Sequence, residues 1–213
     1  MKTKNNKLIV ILTTLLTLLP VILGIILYDR LPEQIPTHFN SAGEADGYSS
    51  RNMAVFGLPA FLAFMNLFVI FSLNTDPKKQ NANKTLRLLS KFVMPAASCI
   101  FVPLSLLYAI GYEIDMHIIV QFFVGIIFIV IGNYMPKSKQ SYTVGIKLPW
   151  TLNNEHNWNK THRLAGILYV ISGIILIISG LMQFNLSYII FFVLILCTGI
   201  PSVYSYLLYR QGH

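Results

Sequence analysis

Six long stretches of uncharged, apolar residues constrain this chain more than any other feature. The first stretch, residues 8–28, runs for 21 residues without a charged side chain. A helix of that length is about 32 Å long, which matches a membrane hydrocarbon core of about 30 Å. By the same reasoning we predict membrane spans at about residues 8–28, 53–73, 92–112, 118–135, 164–183 and 186–208.

The composition agrees with a lipid environment. Hydrophobic residues make up 54% of the 213 residues and charged residues only 11%. So few polar side chains cannot cover the surface of a water-soluble globule of this size. We expect the first span to be retained rather than cleaved as a signal peptide, because Tyr28-Asp29-Arg30 offers no small-residue cleavage site.

Lysine and arginine are distributed unevenly among the connections between the spans. Basic residues near span ends resist translocation, so the connections that carry them stay in the cytoplasm. One side of an alternating topology carries Lys2, Lys4, Lys7, Lys78, Lys79, Lys84, Arg87, Lys91, Lys137, Lys139, Lys147, Lys160, Arg163 and Arg210. The other side carries Arg30 and Arg51 with Asp29, Glu33, Glu44, Asp46, Glu113 and Asp115. We therefore predict a multi-pass protein of the bacterial cell membrane with cytoplasmic N- and C-termini. Its positive charge sets the orientation of the spans, and we expect no direct binding of nucleic acid.

The connection between the first two spans, residues 29–52, is called the outer loop. It contains two prolines, which favour extended chain, and two turn signals, Asn40-Ser-Ala-Gly43 and Ala45-Asp-Gly47. These features predict a small extracytoplasmic hairpin between helices 1 and 2 of an all-α, six-helix integral membrane protein. A metal site at His38, Glu44 and Asp46 is the less favoured reading, because the three residues lack a diagnostic spacing. A ligand-contacting role for the ordered hairpin is more plausible.

The connection between the fourth and fifth spans, residues 136–163, is called the inner loop. Asn153 is an N-cap candidate, and Glu155 follows in the first turn, where the helix dipole favours an anion. At helical spacing Glu155, Trp158 and His162 fall on one face, so an acid, an indole and an imidazole would converge there. This convergence resembles a site.

A structural interpretation of the inner loop carries equal weight. Tryptophans belong to interfacial aromatic belts, and basic residues belong on the cytoplasmic side of the spans. The residues that fit this interpretation are Trp150, Trp158, Lys147, Lys160 and Arg163. His156 and His162 are six residues apart, which is not the spacing of a helical zinc pair. The sequence therefore predicts no metal centre.

The spans themselves argue against several functions. Residues 8–28 and the other five predicted spans contain no Asp, Glu, Lys, Arg or His, whereas ion-coupled transporters place ionisable groups inside the bilayer. Phosphate-binding Gly-x-x-x-x-Gly-Lys-Ser/Thr and nucleophile-elbow Gly-x-Ser-x-Gly patterns are absent from the sequence. Ion-coupled transport is thus disfavoured, and we predict neither a cofactor nor a catalytic residue.

Two runs of residues carry a family resemblance. The inner run reads Gly145-x-Lys147-x-Pro149-Trp150-Thr151-Leu152-x-x-Glu155-x-x-Trp158-x-x-Thr161-His162-Arg163-x-x-Gly166, preceded by Gly132-Asn133-Tyr134-x-Pro136. The outer run holds Leu31-Pro32, then Ile35-Pro36-Thr37-His38-Phe39-Asn40, Gly43-Glu44 and Asp46-Gly47-Tyr48. With these runs the chain resembles, nearly end to end, the SdpI family of membrane proteins, typified by immunity to a sporulation-delaying peptide toxin.

The resemblance implies that the protein is not an enzyme and that it protects its host membrane from a secreted toxic peptide. It also implies signalling, in which the toxin-engaged protein holds a cytoplasmic repressor at the membrane. The candidate binding residues are His38, Asn40, Glu44, Asp46 and Tyr48 outside, and Lys147, Trp150, Thr151, Glu155, Trp158, Thr161, His162 and Arg163 inside. Two alternatives stay open: a lipid-modifying enzyme that uses Glu155, His162 and Arg163, and a small-solute channel.

Overall fold

Six helices in the computed structural model are long and apolar enough to cross a membrane. They cover Asn6–Arg30, Met53–Thr75, Lys84–Ala109, Met116–Lys137, Glu155–Leu181 and Leu186–Arg210. The structure describes residues 2–212, with side chains from residue 6 onward, so the side chains of Lys2 and Lys4 lie outside the described part. The prediction of a helical protein with six membrane helices is confirmed.

Two of these helices contain a widened π-helical turn just before a proline. The turns are Met53–Gly57 and Ile195–Gly199. One residue separates the first turn from Pro59, and one residue separates the second from Pro201. Proline has no N–H and its ring collides with the carbonyl four residues earlier. The π turn absorbs that collision, and the helices α3 (Leu58–Thr75) and α9 (Ile200–Arg210) continue beyond it.

By its internal contacts the chain divides into two compact units. Unit 1 holds the residues up to Ser72 and Leu88–Asp115, whereas unit 2 holds Leu73–Arg87 and the chain from Met116 onward. The boundary therefore falls inside α3 and inside α4 (Lys84–Ala109).

Unit 1 contains most of the first three membrane helices and the hairpin. Helix α1 (Lys2–Leu18) leads into α2 (Pro20–Leu27), and a 3₁₀ turn follows at Tyr28–Arg30. Strands β1 (Gln34–Phe39) and β2 (Ala45–Ser50) then pair antiparallel, which confirms the predicted hairpin. One apolar core joins these elements to α4 and consists of Leu31, Ile35, Ala54, Val55, Val102 and Leu106.

Unit 2 is built on the pair α5 (Met116–Tyr134) and α7 (Glu155–Leu181). Two reciprocal glycine pairs bring these helices together: a Cβ added to Gly132 would lie 2.5 Å from the carbonyl oxygen of Gly166, and one added to Gly173 would lie 2.5 Å from that of Gly125. Glycine is required there because the two backbones touch. The remaining elements are a 3₁₀ turn at Met135–Lys137, α6 (Pro149–Asn153), α8 (Leu186–Leu194) and α9.

The helices extend beyond the predicted spans. Helix α5 begins at Met116, so His117 lies inside it, and α7 begins nine residues before the predicted fifth span. His117 is buried and its ring contacts the amide of Gln121, which also bonds to Ser179 on α7. A helix can begin before the uncharged stretch when neighbouring protein groups form hydrogen bonds with the polar side chains of its first turns.

Candidate functional site

The tip of the hairpin is organised by Asn40. Its side-chain oxygen accepts the backbone N–H groups of Ala42 at 2.9 Å and of Glu44 at 3.1 Å, and its amide donates to the Glu44 carboxylate at 3.2 Å. Gly43 has a positive φ of 82°, which suits glycine. Asn40 therefore shapes the turn that presents Glu44, since all of these contacts are local.

The opposite face of the hairpin is anchored within unit 1. Ile35 is fully buried, the ring of Phe39 meets that of Tyr108 edge-on at 5.3 Å, and Ser105 donates a hydrogen bond to the carbonyl of Pro36. This backbone oxygen is bonded by a helix side chain, so the strand has a defined place on α4. The hairpin is thus a rigid element rather than a free loop.

The free face of the hairpin presents the remaining predicted outer residues. His38 and Asp46 pair across the strands with Nδ1 and Oδ1 2.5 Å apart, and their side chains are 73% and 44% exposed. Tyr48 and Glu44 are exposed on the same hairpin. A Cβ at Gly47 would lie 2.8 Å from the Cβ of His38, so the glycine leaves room for this histidine. Glu44 bonds to Asn40 and does not join the His38–Asp46 pair.

Unit 1 carries an acidic surface in the connections that follow its first and third membrane helices. Its exposed carboxylates are Asp29, Glu33, Glu44, Asp46, Glu113 and Asp115. Of the two arginines in the same connections, Arg51 lies over the ring of Tyr28 at 5.2 Å and donates to the Pro32 carbonyl at 3.2 Å. This surface favours a cationic ligand.

In unit 2, Trp158 and His162 form the centre of the inner loop. Both side chains are fully buried, and their rings stack with centroids 3.8 Å apart. The indole N–H of Trp158 donates to the Ser138 carbonyl at 2.8 Å. The two residues that the helical spacing placed together therefore do lie together, and they hold the start of the inner loop against α7.

Both ring nitrogens of His162 are bonded to the backbone. Nδ1 donates to the Trp158 carbonyl at 2.8 Å, and Nε2 accepts the N–H of Ile146 at 2.9 Å. This pair of bonds requires the neutral tautomer with its proton on Nδ1. Gly145 makes the approach possible, because its φ is +117° and a Cβ there would lie 2.5 Å from Nε2. His162 consequently has no nitrogen left to act as an acid or base.

Thr151 and Thr161 are also buried and structural. The Thr151 hydroxyl accepts the N–H of Leu148 at 2.9 Å and donates to the Ile146 carbonyl at 2.8 Å, which closes the first turn of α6. The Thr161 hydroxyl donates to the side-chain oxygen of Asn157 at 3.2 Å, and the Asn157 amide reaches the Ser205 carbonyl on α9 at 2.9 Å. Asn157 was not among the predicted site residues.

Asp76 is a buried charged residue that was not among the predicted site residues. It lies in residues 76–83, called here the short inner loop, and is only 4% exposed. Its carboxylate accepts hydrogen bonds from the hydroxyls of Ser141 and Thr143. It also accepts the backbone N–H groups of Tyr142, Thr143 and Lys78. Burial raises the pKa of Asp76, but these bonds outweigh it and keep the pKa below its usual value. A lone acid among the basic residues of this loop was the available signal.

Three of the other predicted inner residues are on the surface. Lys147, Glu155 and Arg163 are exposed and have no hydrogen-bonding or ionic side-chain partner among the described residues. Glu155 therefore does not join Trp158 and His162. Trp150 is half-buried and stacks on Tyr209 with centroids 5.8 Å apart.

The predicted N-cap at Asn153 is wrong. Asn153 ends α6, and the cap of α7 is Asn154, whose side-chain oxygen accepts the N–H of Asn157 at 3.0 Å. Asn154 has the extended backbone of a capping residue, with φ −133° and ψ 117°, whereas its neighbour completes the preceding short helix.

These observations define a class: a multi-pass helical membrane protein with an acidic, anchored hairpin in one unit and a hydrogen-bonded inner loop in the other. Comparison with known proteins agrees. Residues 137–205 match the SdpI/YfhL protein family, and residues 15–63 match the DUF1648 domain, described as a domain of unknown function. The chain is 30% identical over 205 residues to the immunity protein SdpI of Bacillus subtilis (strain 168), an alignment that covers 94% of this chain and 96% of that protein.

The chain therefore belongs to the SdpI family. No solved structure matches it. Membership and the six apolar helices make it a multi-pass protein of the cell membrane.

Proposed function

We propose that this protein protects its host cell membrane against a secreted peptide toxin, without catalysis. The observation that carries the proposal is the nearly complete alignment with a relative named as an immunity protein. The hydrogen bonding of His162 supports a non-enzymatic role, because one of the two acid-base groups of the lipid-enzyme alternative is occupied on both nitrogens. The other group, Glu155, is exposed and does not lie with the buried His162. The predicted topology places the acidic hairpin outside, where a secreted peptide arrives.

The exposed hairpin face is the proposed receiving surface. Glu44 and Asp46 carry charge there, His38 and Tyr48 offer aromatic contact, and Asn40 holds the turn in shape. A rigid surface loses little conformational entropy when a partner binds. A basic peptide is the complementary partner, since the unit 1 connections carry six exposed carboxylates.

The test is survival of a toxin-sensitive bacterial strain challenged with the purified sporulation-delaying peptide toxin. The parent protein is compared with Glu44→Gln/Asp46→Asn, which keeps side-chain shape and removes two charges from the hairpin. The matched control is Asp29→Asn/Glu113→Gln, which removes two charges of unit 1 outside the strands. We expect protection by the parent and the control and reduced protection by the hairpin variant at equal expression.

Failure of the well-expressed parent to protect would contradict the proposal. An equal loss of protection in both double variants would mean that the toxin contacts the wider acidic surface and not the hairpin alone.

A sensor role is the second part of the proposal: the toxin-engaged protein holds a cytoplasmic repressor through the exposed part of the inner loop. Among the described residues, Lys147 and Glu155 of this part have no side-chain partner, and beside them a cavity of about 510 Å³ lies between Trp150, Asn154 and Tyr209. Such a cavity has the size of a binding pocket for a partner's side chains.

A photo-crosslinking amino acid at position 147 tests the sensor role in cells. We expect a crosslink to a DNA-binding protein that becomes stronger when the toxin is added, and the same probe at the exposed position 113 serves as the control. Absence of any toxin-dependent crosslink at position 147 would remove the sensor role and leave the immunity proposal standing.

A further inference from the structure

A groove of about 420 Å³ lies between α5 and α7 of unit 2. One end is formed by Asn133, Pro136 and Arg163, and the length of the groove is formed by Ile167, Val170 and Ile171. The groove therefore combines one charged end with an apolar wall. None of these residues belongs to the hairpin surface of the proposed function.

The position of the groove along α7 indicates what covers it. Arg163 is the last charged residue of the helix, and the 18 residues 164–181 after it are uncharged, which corresponds to about 27 Å of helix, close to the hydrocarbon thickness. Ile167, Val170 and Ile171 thus lie at hydrocarbon depth, and Arg163 lies at the level of the headgroups. Lipid, rather than water or a soluble partner, is in contact with such a groove.

The charged end is built for an anion. Arg163 is exposed, and its guanidinium has no hydrogen-bonding or ionic partner among the described residues. The nearby Lys137 is engaged over the ring of Tyr134 at 4.6 Å, and no acidic residue lines the groove. Arginine binds phosphate oxygens with several parallel N–H groups, so a phosphodiester is the ligand group that fits it.

Asn133 adds a second polar contact at the same end. Its amide donates to the Ile129 carbonyl at 2.9 Å, which fixes the side chain and leaves the amide oxygen as an acceptor. We infer that the groove between α5 and α7 is a binding site for one anionic phospholipid, with the phosphate on Arg163, a headgroup hydroxyl on Asn133 and an acyl chain along Ile167–Ile171. No covalent bond is made or broken in this binding.

The inference is tested by native mass spectrometry of the delipidated full-length protein in detergent. The probes are phosphatidylglycerol, whose headgroup is a net anion with hydroxyls, and phosphatidylcholine, whose phosphodiester is neutralised by its own choline cation and whose headgroup has no hydroxyl. We expect one phosphatidylglycerol to bind at concentrations where phosphatidylcholine does not. Equal binding of the two lipids, or a protein dimer that excludes lipid, would overturn the inference.

Two variant pairs locate the site. Arg163→Gln is expected to weaken phosphatidylglycerol binding about tenfold, the size of one charge-assisted hydrogen bond, whereas Lys160→Gln on the same helix should change it little. Ile167→Trp fills the groove and should also weaken binding, whereas Ile174→Trp, at an exposed position of α7 outside the groove, should not.

Thermal unfolding of each variant shows whether it folds, so a lost site is distinguished from a lost structure. Equal effects of Arg163→Gln and Lys160→Gln on phosphatidylglycerol binding would mean that the basic side of the protein attracts the lipid without a specific site. That result would overturn the inference.

Discussion

Gly145 lies in a backbone conformation that other residues rarely adopt, with φ +117°, and it touches the ring of His162. Alanine there meets both backbone strain and a collision at 2.5 Å with Nε2. We expect Gly145→Ala to lower the free energy of unfolding by about 1–3 kcal/mol, measured by thermal unfolding in detergent. Gly111→Ala is the control, because Gly111 has φ +97° but no atom near the added Cβ. An equal effect of both variants would show that the contact with His162 contributes nothing.

Asp76 stabilises the inner loop as a charged acceptor. Asp76→Asn replaces one acceptor oxygen with an amide N–H donor that faces other donors. We therefore expect it to lower the free energy of unfolding by roughly 1–3 kcal/mol. The exposed Glu155→Gln, which has no side-chain partner among the described residues, should be neutral. Thermal unfolding at neutral pH measures both. A neutral Asp76→Asn would contradict the assigned role of the carboxylate.

The same carboxylate predicts a pH dependence. Because the pKa of Asp76 is lowered in the folded protein, its contribution to stability is complete above the unfolded pKa of about 3.9. It is lost as the pH falls through the folded pKa. The unfolding temperature of the parent should therefore fall more steeply below about pH 4 than that of Asp76→Asn. Parallel curves for the two proteins would contradict the shift.

Among the elements, the helix pair α5 and α7 depends on backbone contact at its glycines. A Cβ at Gly132 would lie 2.5 Å from the Gly166 oxygen, which is a backbone atom and cannot turn away. We expect Gly132→Ala to force the helices apart and to lower the free energy of unfolding by about 1–3 kcal/mol. Thermal unfolding measures this change. Gly199→Ala is the matched control, since its nearest neighbour would be 3.8 Å away. Tolerance of Gly132→Ala would mean that the helices are not held by this contact.

The elements that depend on local sequence could be predicted, whereas those that depend on distant contacts could not. Uncharged stretches identified the six membrane helices, turn residues identified the hairpin, and a spacing of four residues placed Trp158 on His162. Asp76 was missed because the hydroxyl that it binds, that of Ser141, is 65 residues away in the chain. The buried position of Thr151 and the exposed position of Glu155 also depend on folding of the inner loop, which no periodic pattern reveals.

At the scale of the whole molecule, the two family matches fall into different units. Residues 15–63 belong to unit 1 with the hairpin, and residues 137–205 belong to unit 2 with the inner loop. Under the proposed function, the hairpin of unit 1 receives the toxin and the inner loop of unit 2 meets the cytoplasmic partner. The chain passes from one unit to the other within α3 and α4.

The predicted topology assigns the two loops to opposite sides of the membrane. Ser50→Cys in the outer loop and Lys139→Cys in the inner loop, both at exposed positions, are expected to react differently with a membrane-impermeant maleimide. Position 50 should be labelled in intact cells and position 139 only after permeabilisation, with the parent, whose two cysteines lie in membrane helices, as the blank. Labelling of position 139 in intact cells would contradict the cytoplasmic assignment of the inner loop and both termini.

The central claim is that the acidic hairpin receives a peptide toxin, and direct binding tests it. The measurement is the Kd of the purified sporulation-delaying peptide for the full-length protein in lipid nanodiscs, at low and at high salt. We expect saturable binding that weakens as salt screens the carboxylates and that is about 3- to 10-fold weaker in Glu44→Gln/Asp46→Asn. Absence of saturable binding, or binding that neither salt nor this double substitution changes, would contradict the account.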